Sequence, residues 1–95
     1  MQTNLLCMQQ FEIENIFYEG RDRTATVVPF LGQELERHEF LVVLVDVAPL
    51  GYFICTKGKW ENEPLLSSGF RPPVDLVNTI VSRIIKYCRE QNITL

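Results

Sequence analysis

Residues 40–47 of the chain, Phe-Leu-Val-Val-Leu-Val-Asp-Val, are the stretch of sequence that decides the fold. Side chains along a strand alternate between the two faces of a sheet, so Phe40, Val42 and Leu44 are expected on one face. The opposite face would carry Leu41, Val43, Val45 and Val47. Only Asp46 interrupts the apolar run. A strand that is apolar on both faces is typical of the middle of a sheet that is covered on both sides.

The residues after this strand predict two further strands separated by tight turns. Ala48-Pro49-Leu50-Gly51 has proline at its second position and glycine at its fourth, which favours a turn. Residues 52–56 are then expected to form the return strand. Lys57-Gly58-Lys59 predicts another turn, after which Trp60 would open a short further strand.

The sequence before this strand predicts a hairpin. Residues 11–19 are rich in β-forming side chains and alternate with period two until residues 15–16, where the slip indicates a β-bulge. A polar turn over residues 20–23 leads into a second strand over residues 24–30. Pro29 has no amide hydrogen to donate, so this second strand is expected to lie at a sheet edge or to end there.

Residues 74–91 predict one long helix, because their apolar residues recur at spacings of three and four and form one stripe. The stripe consists of Val77, Ile80, Val81, Ile84, Ile85 and Cys88. Asn92 is expected to end the helix in the left-handed conformation. The three prolines and one glycine of residues 61–73 indicate a loop before the helix.

Consecutive strands joined by tight turns predict an antiparallel meander, because such turns connect neighbouring antiparallel strands. The element order is β-β-β-β-α, with four to five strands, and the helix is expected to lay its stripe on one face of the sheet. The predicted fold is therefore α+β, in a single domain that spans residues 1–95.

The charge of the chain gives little support to a dedicated nucleic-acid binder, which usually carries a strong basic excess. The formal net charge is -3. Residues 1–50 hold eight acidic and three basic residues, whereas residues 51–95 hold four acidic and six basic residues. The second half of the chain could therefore tolerate a nucleic acid, while the first half would repel it.

The three cysteines, Cys7, Cys55 and Cys88, are too far apart in the sequence for a zinc ribbon or a redox dithiol. Their odd number also argues against a disulfide framework, so reduced thiols in the cytoplasm are expected. The first ten residues lack the basic start of a signal peptide. The longest apolar stretch is too short and too interrupted to span a membrane.

One helix covers one face of a sheet, so the second apolar face of residues 40–47 needs another cover. Burying four side chains of Val or Leu size contributes on the order of 6–12 kcal/mol, which is comparable to the whole stability of a small domain. We expect a second copy of the chain to provide the cover, because two-fold homodimers are the commonest soluble oligomers. The alternative is an internal cover made of Leu5, Leu6, Met8, Leu65, Leu66 and Phe70.

The sequence therefore predicts a small, non-enzymatic interaction or regulatory module, which pairs with itself and could also bind another protein. Tyr52, Phe53 and Trp60 are the candidate aromatic anchors. An alternative function is nucleic-acid binding, in which an aromatic ring stacks a base while cations neutralise phosphate. The residues of that alternative are Lys57, Lys59, Trp60, Arg71, Arg83, Lys86 and Arg89.

A second alternative is a small-molecule site beside Asp46, whose carboxylate near an apolar strand could orient a ligand or act as a base. The competing interpretation is that Asp46 caps the following turn. His38, in a charged connector over residues 31–39, is expected to be solvated, because Glu36, His38 and Glu39 match no strong metal motif. No motif for catalysis, phosphate binding, a cofactor or a metal is present.

Overall fold

The computed structural model describes residues 9–31 and 37–95 of the chain. Its five antiparallel strands lie side by side in the order of the sequence. They are β1 (Phe11–Tyr18), β2 (Arg21–Leu31), β3 (Arg37–Leu44), β4 (Ala48–Thr56) and β5 (Lys59–Glu63). A 3-10 turn at Leu66–Ser68 precedes the helix α1 (Val74–Glu90). The predicted α+β meander with one C-terminal helix is confirmed, and the sheet has five strands.

Two of the hairpins use two-residue turns with positive φ at both positions. Glu19 and Gly20 have φ of 50° and 86°, and Lys57 and Gly58 have φ of 52° and 81°. Turns of this kind match the right-handed twist of the flanking strands. The first turn therefore lies at 19–20 rather than at the predicted 20–23, and Arg21 already belongs to β2.

The predicted irregularity in β1 is confirmed as a β-bulge. The register with β2 shifts between Ile13 and Ile16, and Asn15 has a φ of 62°. The extra residue changes the parity of the strand, so that Ile13 and Ile16 both point into the core although they are three positions apart.

The turn between β3 and β4 lies at residues 45–47, so the predicted turn at Ala48–Gly51 is wrong. Those residues belong to β4, where the register with β3 shifts between Val42 and Val43. Pro49 and Gly51 therefore lie in a bulge and not in a turn. Gly51 has a φ of 93°, and a Cβ atom there would overlap the backbone of Glu63.

The side chain of Asn62 links β5 to the bulged part of β4. Its amide nitrogen donates hydrogen bonds to the carbonyl oxygens of Leu50 (3.0 Å) and Tyr52 (3.2 Å), on either side of Gly51. The side chain therefore supports the bulged part of β4, where the regular ladder is disturbed.

Pro29 lies within β2, which is an inner strand, so the prediction that this strand is at an edge or ends there is wrong. The pairing of β1 with β2 reaches only to Val27. Pro29 therefore lies beyond the end of that ladder and is opposite Phe40 of β3 on its other side. Among the described residues, β2 has no strand partner on the β1 side at Pro29, so the missing amide hydrogen breaks no ladder there.

The hydrophobic core lies between the sheet and α1. The helix buries Leu76, Ile80, Ile84 and Cys88 in it. Three of these residues belong to the predicted stripe, and Val77 and Val81 of the stripe pack partly buried against the core, whereas Leu76 was not predicted. The ring of Tyr87 stacks on that of Phe11, with centroids 3.7 Å apart, and joins α1 to β1. We call the sheet face under α1 the helix side.

The helix ends as predicted at Asn92, which has a φ of 61°. The Asn92 amide donates to the carbonyl of Arg89 (3.0 Å), and the Ile93 amide donates to the carbonyl of Cys88 (2.8 Å). These two bonds make a Schellman motif, which satisfies the last carbonyl groups of the helix. Within residues 9–31 and 37–95, no helix is long and apolar enough to cross a membrane.

Candidate functional site

The sheet face opposite the helix is the first candidate site, and we call it the open face. Val28, Leu41 and Tyr52 are directly opposite one another on β2, β3 and β4, and form its central row. They alternate with buried core residues such as Val27 and Val42, so they point away from α1. The apolar side chains of the open face include Phe17, Val28, Phe30, Leu41, Val43, Tyr52 and Ile54.

Within the part of the chain that the structure describes, the helix packs on the other side, and the apolar side chains of the open face differ in their exposure. Val28, Leu41, Val43 and Tyr52 are each half-buried. Phe30 is 49% exposed, and its ring meets that of Tyr52 across β3, with centroids 6.3 Å apart. Ile54 differs from these residues because it is only 2% exposed.

Charged groups surround this apolar centre. Arg37 and Glu39 of β3 form an ion pair at 3.1 Å on the open face, so their charges offset each other. Glu12 of β1 and Lys59, Glu61 and Glu63 of β5 lie at the two outer strands on the same face. An apolar centre with aromatic residues and a charged rim is the usual arrangement of a protein interface.

The three predicted aromatic anchors lie in different places. Tyr52 is on the open face, as the prediction requires. Phe53 is 0% exposed in the core, so it cannot serve as a surface anchor. Trp60 is on the helix side, where its ring stacks on Phe40 with centroids 5.9 Å apart. Phe30 was not predicted as an anchor, although it shares the parity of Val28 and could have been found by that alternation.

The prediction that His38 is solvated is wrong. His38 is the second residue of β3, is 5% exposed, and points to the helix side with the same parity as Phe40. It lies opposite Cys55 of β4. Among the described residues its Nδ1 atom has no hydrogen-bond partner. Burial lowers the pKa of His38 below its ordinary value of 6.5, which favours the neutral ring at neutral pH.

Cys55 and Cys88 are buried free thiols. Burial raises the pKa of Cys88 to about 11, and repulsion from Cys55 acts in the same direction. Burial also raises the pKa of Cys55, although a hydrogen bond from the Gly58 backbone opposes it. Both groups therefore stay protonated at neutral pH, whereas a nucleophilic cysteine needs a thiolate. Cys7 lies outside the described residues.

The cations of the nucleic-acid alternative do not form one patch. Lys57 and Lys59 are at the β4–β5 hairpin, and Arg89 lines the same pocket as Gly58 and Trp60. Arg71, in contrast, follows Phe70, which contacts Tyr18 at the opposite end of the sheet. Arg83 and Lys86 lie above β1 beside acidic residues, and Arg83 donates to the Glu14 carbonyl oxygen at 2.8 Å. An electrostatic footprint for phosphates requires a continuous basic surface, which this arrangement lacks.

Asp46 is exposed in the turn between β3 and β4, with a φ of 65°. The pockets that the described residues form at the two ends of α1 and beside β1 do not include Asp46, so they give the small-molecule alternative no support at this position. Of the three loop residues predicted for the internal cover, Leu66 is 86% exposed, Phe70 packs on the helix side, and Leu65 is half-buried. Leu5, Leu6, Met8 and Glu36 lie outside the described residues. Among the residues that are described, no group of three or more His, Cys, Asp or Glu side chains could hold a metal ion.

The chain was compared with protein-family models, with curated proteins and with solved structures, and none of the three comparisons gives a match.

Proposed function

We propose that the protein is a non-enzymatic interaction module that forms a two-fold homodimer through the open face. The observation that carries the proposal is the central row of Val28, Leu41 and Tyr52, which is half-buried and apolar on the side away from α1. A face of this composition gains free energy when a second apolar surface removes it from water.

The size of the open face is adequate for a dimer. Five strands about 4.8 Å apart and about eight residues long give a face of roughly 19 by 27 Å in plan. The accessible area of a surface covered by side chains exceeds its plan area. A second copy laid over it would therefore bury an area that approaches the roughly 800 Å² per partner of a standard interface.

The test is the absolute mass in solution, measured by light scattering over a dilution series. We expect the wild-type chain to have twice the mass of one chain. Leu41→Lys places a charge in the centre of the open face and is expected to give monomers, because an unpaired charge in an apolar interface is costly. Leu66→Lys is the matched control, since it makes the same change at an exposed loop position and should leave the dimer intact.

A wild-type monomer at every concentration would contradict the proposal, and so would a Leu41→Lys variant that remains dimeric. Circular dichroism of Leu41→Lys distinguishes loss of the dimer from loss of the fold. A deletion of residues 1–8 that converts a monomeric wild type into a dimer would instead show that this segment covers the open face.

The proposal includes a cytoplasmic location. Two reduced, buried thiols support it, since Cys55 and Cys88 are not joined by a disulfide and proteins of reducing compartments keep their cysteines in this form.

A further inference from the structure

A second surface of the molecule is concave and lies on the helix side, away from the open face. It is a pocket of about 510 Å³ between the β4–β5 hairpin, the last turns of α1 and the segment that follows the helix. This volume is within the range of about 300–1,000 Å³ that is typical of small-molecule sites. The lining residues that the argument uses are Cys55, Trp60, Ile85, Arg89, Ile93 and Leu95.

The wall of the pocket combines apolar side chains with the polar side chains of Arg89, Asn92 and Thr94. Ile85 belongs to α1, and Ile93 and Leu95 to the segment after it, where Ile93 and Leu95 pack against the core. Trp60 is held by its stacking on Phe40, so its remaining surface faces the pocket in a fixed orientation. These side chains would bury the apolar body of a ligand.

Arg89 is the cation of the pocket wall, and no described residue forms a hydrogen bond or an ion pair with its guanidinium group. The carbonyl groups of Cys88 and Arg89 at the end of the helix accept hydrogen bonds from the amides of Ile93 and Asn92. A guanidinium group binds a carboxylate through paired hydrogen bonds.

From these features we infer that the pocket binds a small amphipathic carboxylate, with its carboxylate on Arg89 and its apolar body against Trp60, Ile85 and Ile93. The binding is non-covalent, because the Cys55 thiol in the wall is protonated. The site is independent of the homodimer, since it lies on the opposite side of the sheet.

Trp60 is the only tryptophan of the chain, so its fluorescence reports on this pocket. We would titrate the full chain with decanoate, with decanol and with decyltrimethylammonium, which share an apolar chain and differ in the charge of the head group. Decanoate is expected to change the Trp60 emission with saturation and to bind more tightly than decanol. Decyltrimethylammonium is expected to bind most weakly.

Arg89→Gln is expected to weaken decanoate binding by about three- to tenfold, which is the range for a charge-assisted contact at a partly exposed site, and to leave decanol binding unchanged. Arg21→Gln is the matched control, because it makes the same change of charge at the opposite end of the sheet. Leu41→Lys should bind decanoate like the wild type, which separates this pocket from the open face.

Equal affinity of wild type and Arg89→Gln for decanoate would overturn the inference, as would an absence of saturable binding. NMR shifts on decanoate addition that fall on Val28 and Leu41 instead of Ile85 and Ile93 would also overturn it, because they would place the ligand on the open face.

Discussion

Gly51 is the residue where the backbone geometry of the sheet is most restrictive. Its φ of 93° is rarely adopted by L side chains, and a Cβ atom would overlap the Glu63 backbone. Gly51→Ala is therefore expected to destabilise the protein by more than about 2 kcal/mol, because strain and overlap add. The free energy of unfolding in a urea titration measures the effect.

Gly20→Ala is the matched control for this prediction. Gly20 has a similar φ of 86°, but a Cβ atom there would meet nothing within 4 Å. Gly20→Ala should lower the free energy of unfolding by only about 1 kcal/mol, because it adds the strain of the positive φ but no overlap with a neighbouring strand. Equal losses for the two variants would show that the close approach of β5 to Gly51 is unimportant for stability.

His38 gives the protein a predictable pH dependence. Its lowered pKa in the folded state means that, as the pH falls below 6.5, the unfolded chain binds a proton before the native protein does. The free energy of unfolding is therefore expected to be independent of His38 above about pH 7 and to decrease as the pH falls from there. Urea titrations at several pH values down to about 5, where carboxylates begin to titrate, measure this slope.

His38→Leu removes the titrating group while keeping an apolar side chain at the same position. The slope between about pH 7 and 5 should be smaller in this variant than in the wild type. An unchanged slope would mean that another group carries the pH dependence.

The burial of His38 could have been predicted from its parity with Phe40, because a strand extended by two residues places both on one face. The charged neighbours Glu36, Arg37 and Glu39 obscured this pattern and favoured an exposed connector. The faces on which the aromatic anchors lie, in contrast, could not have been predicted from the sequence. Tyr52 and Phe53 are adjacent, so only one of them can be on the open face, and the bulge at Leu50–Gly51 that sets the parity is a tertiary feature.

At the scale of elements, the end of α1 depends on one residue. Asn92 is in the left-handed region, where asparagine is tolerated better than alanine. Asn92→Ala is expected to cost about 1 kcal/mol, and therefore to lower the melting temperature by roughly 4–8 °C for a domain of this size. Asn92→Gly should keep or slightly raise the melting temperature, so a variant pair of equal stability would contradict this account of the helix end.

The helix and its end were predictable because both depend on local sequence: a spacing of three and four, and an asparagine after the last turn. The β1 bulge was predictable because the alternation of apolar residues slips there. The position of the turn before β4 was not predictable, because proline and glycine, such as Pro49 and Gly51, occur both in tight turns and in bulges. The pocket could not be predicted either, because residues of β4, β5 and α1 meet there only after the sheet and helix pack together.

At the scale of the whole molecule, the charge predicts how the homodimer responds to salt. Each copy carries a net charge of -3, and the rim of the open face is acidic. Salt screens the repulsion between the copies. Raising the ionic strength from about 0.01 M to about 0.15 M is therefore expected to tighten the dimer by roughly two- to tenfold, as measured by sedimentation equilibrium. Complexes with nucleic acids respond in the opposite direction, because salt weakens them.

The meander order of the sheet also has a consequence for folding. Each strand pairs with the strand next to it in the sequence, so the sheet can form from hairpins whose contacts are local. The stacking of Tyr87 on Phe11 joins the last element to the first and requires a long loop to close. During synthesis all five strands leave the ribosome before α1, and the helix side of the nascent sheet is exposed until the helix arrives. In that interval the nascent chain is expected to be a substrate for chaperones that bind apolar surfaces.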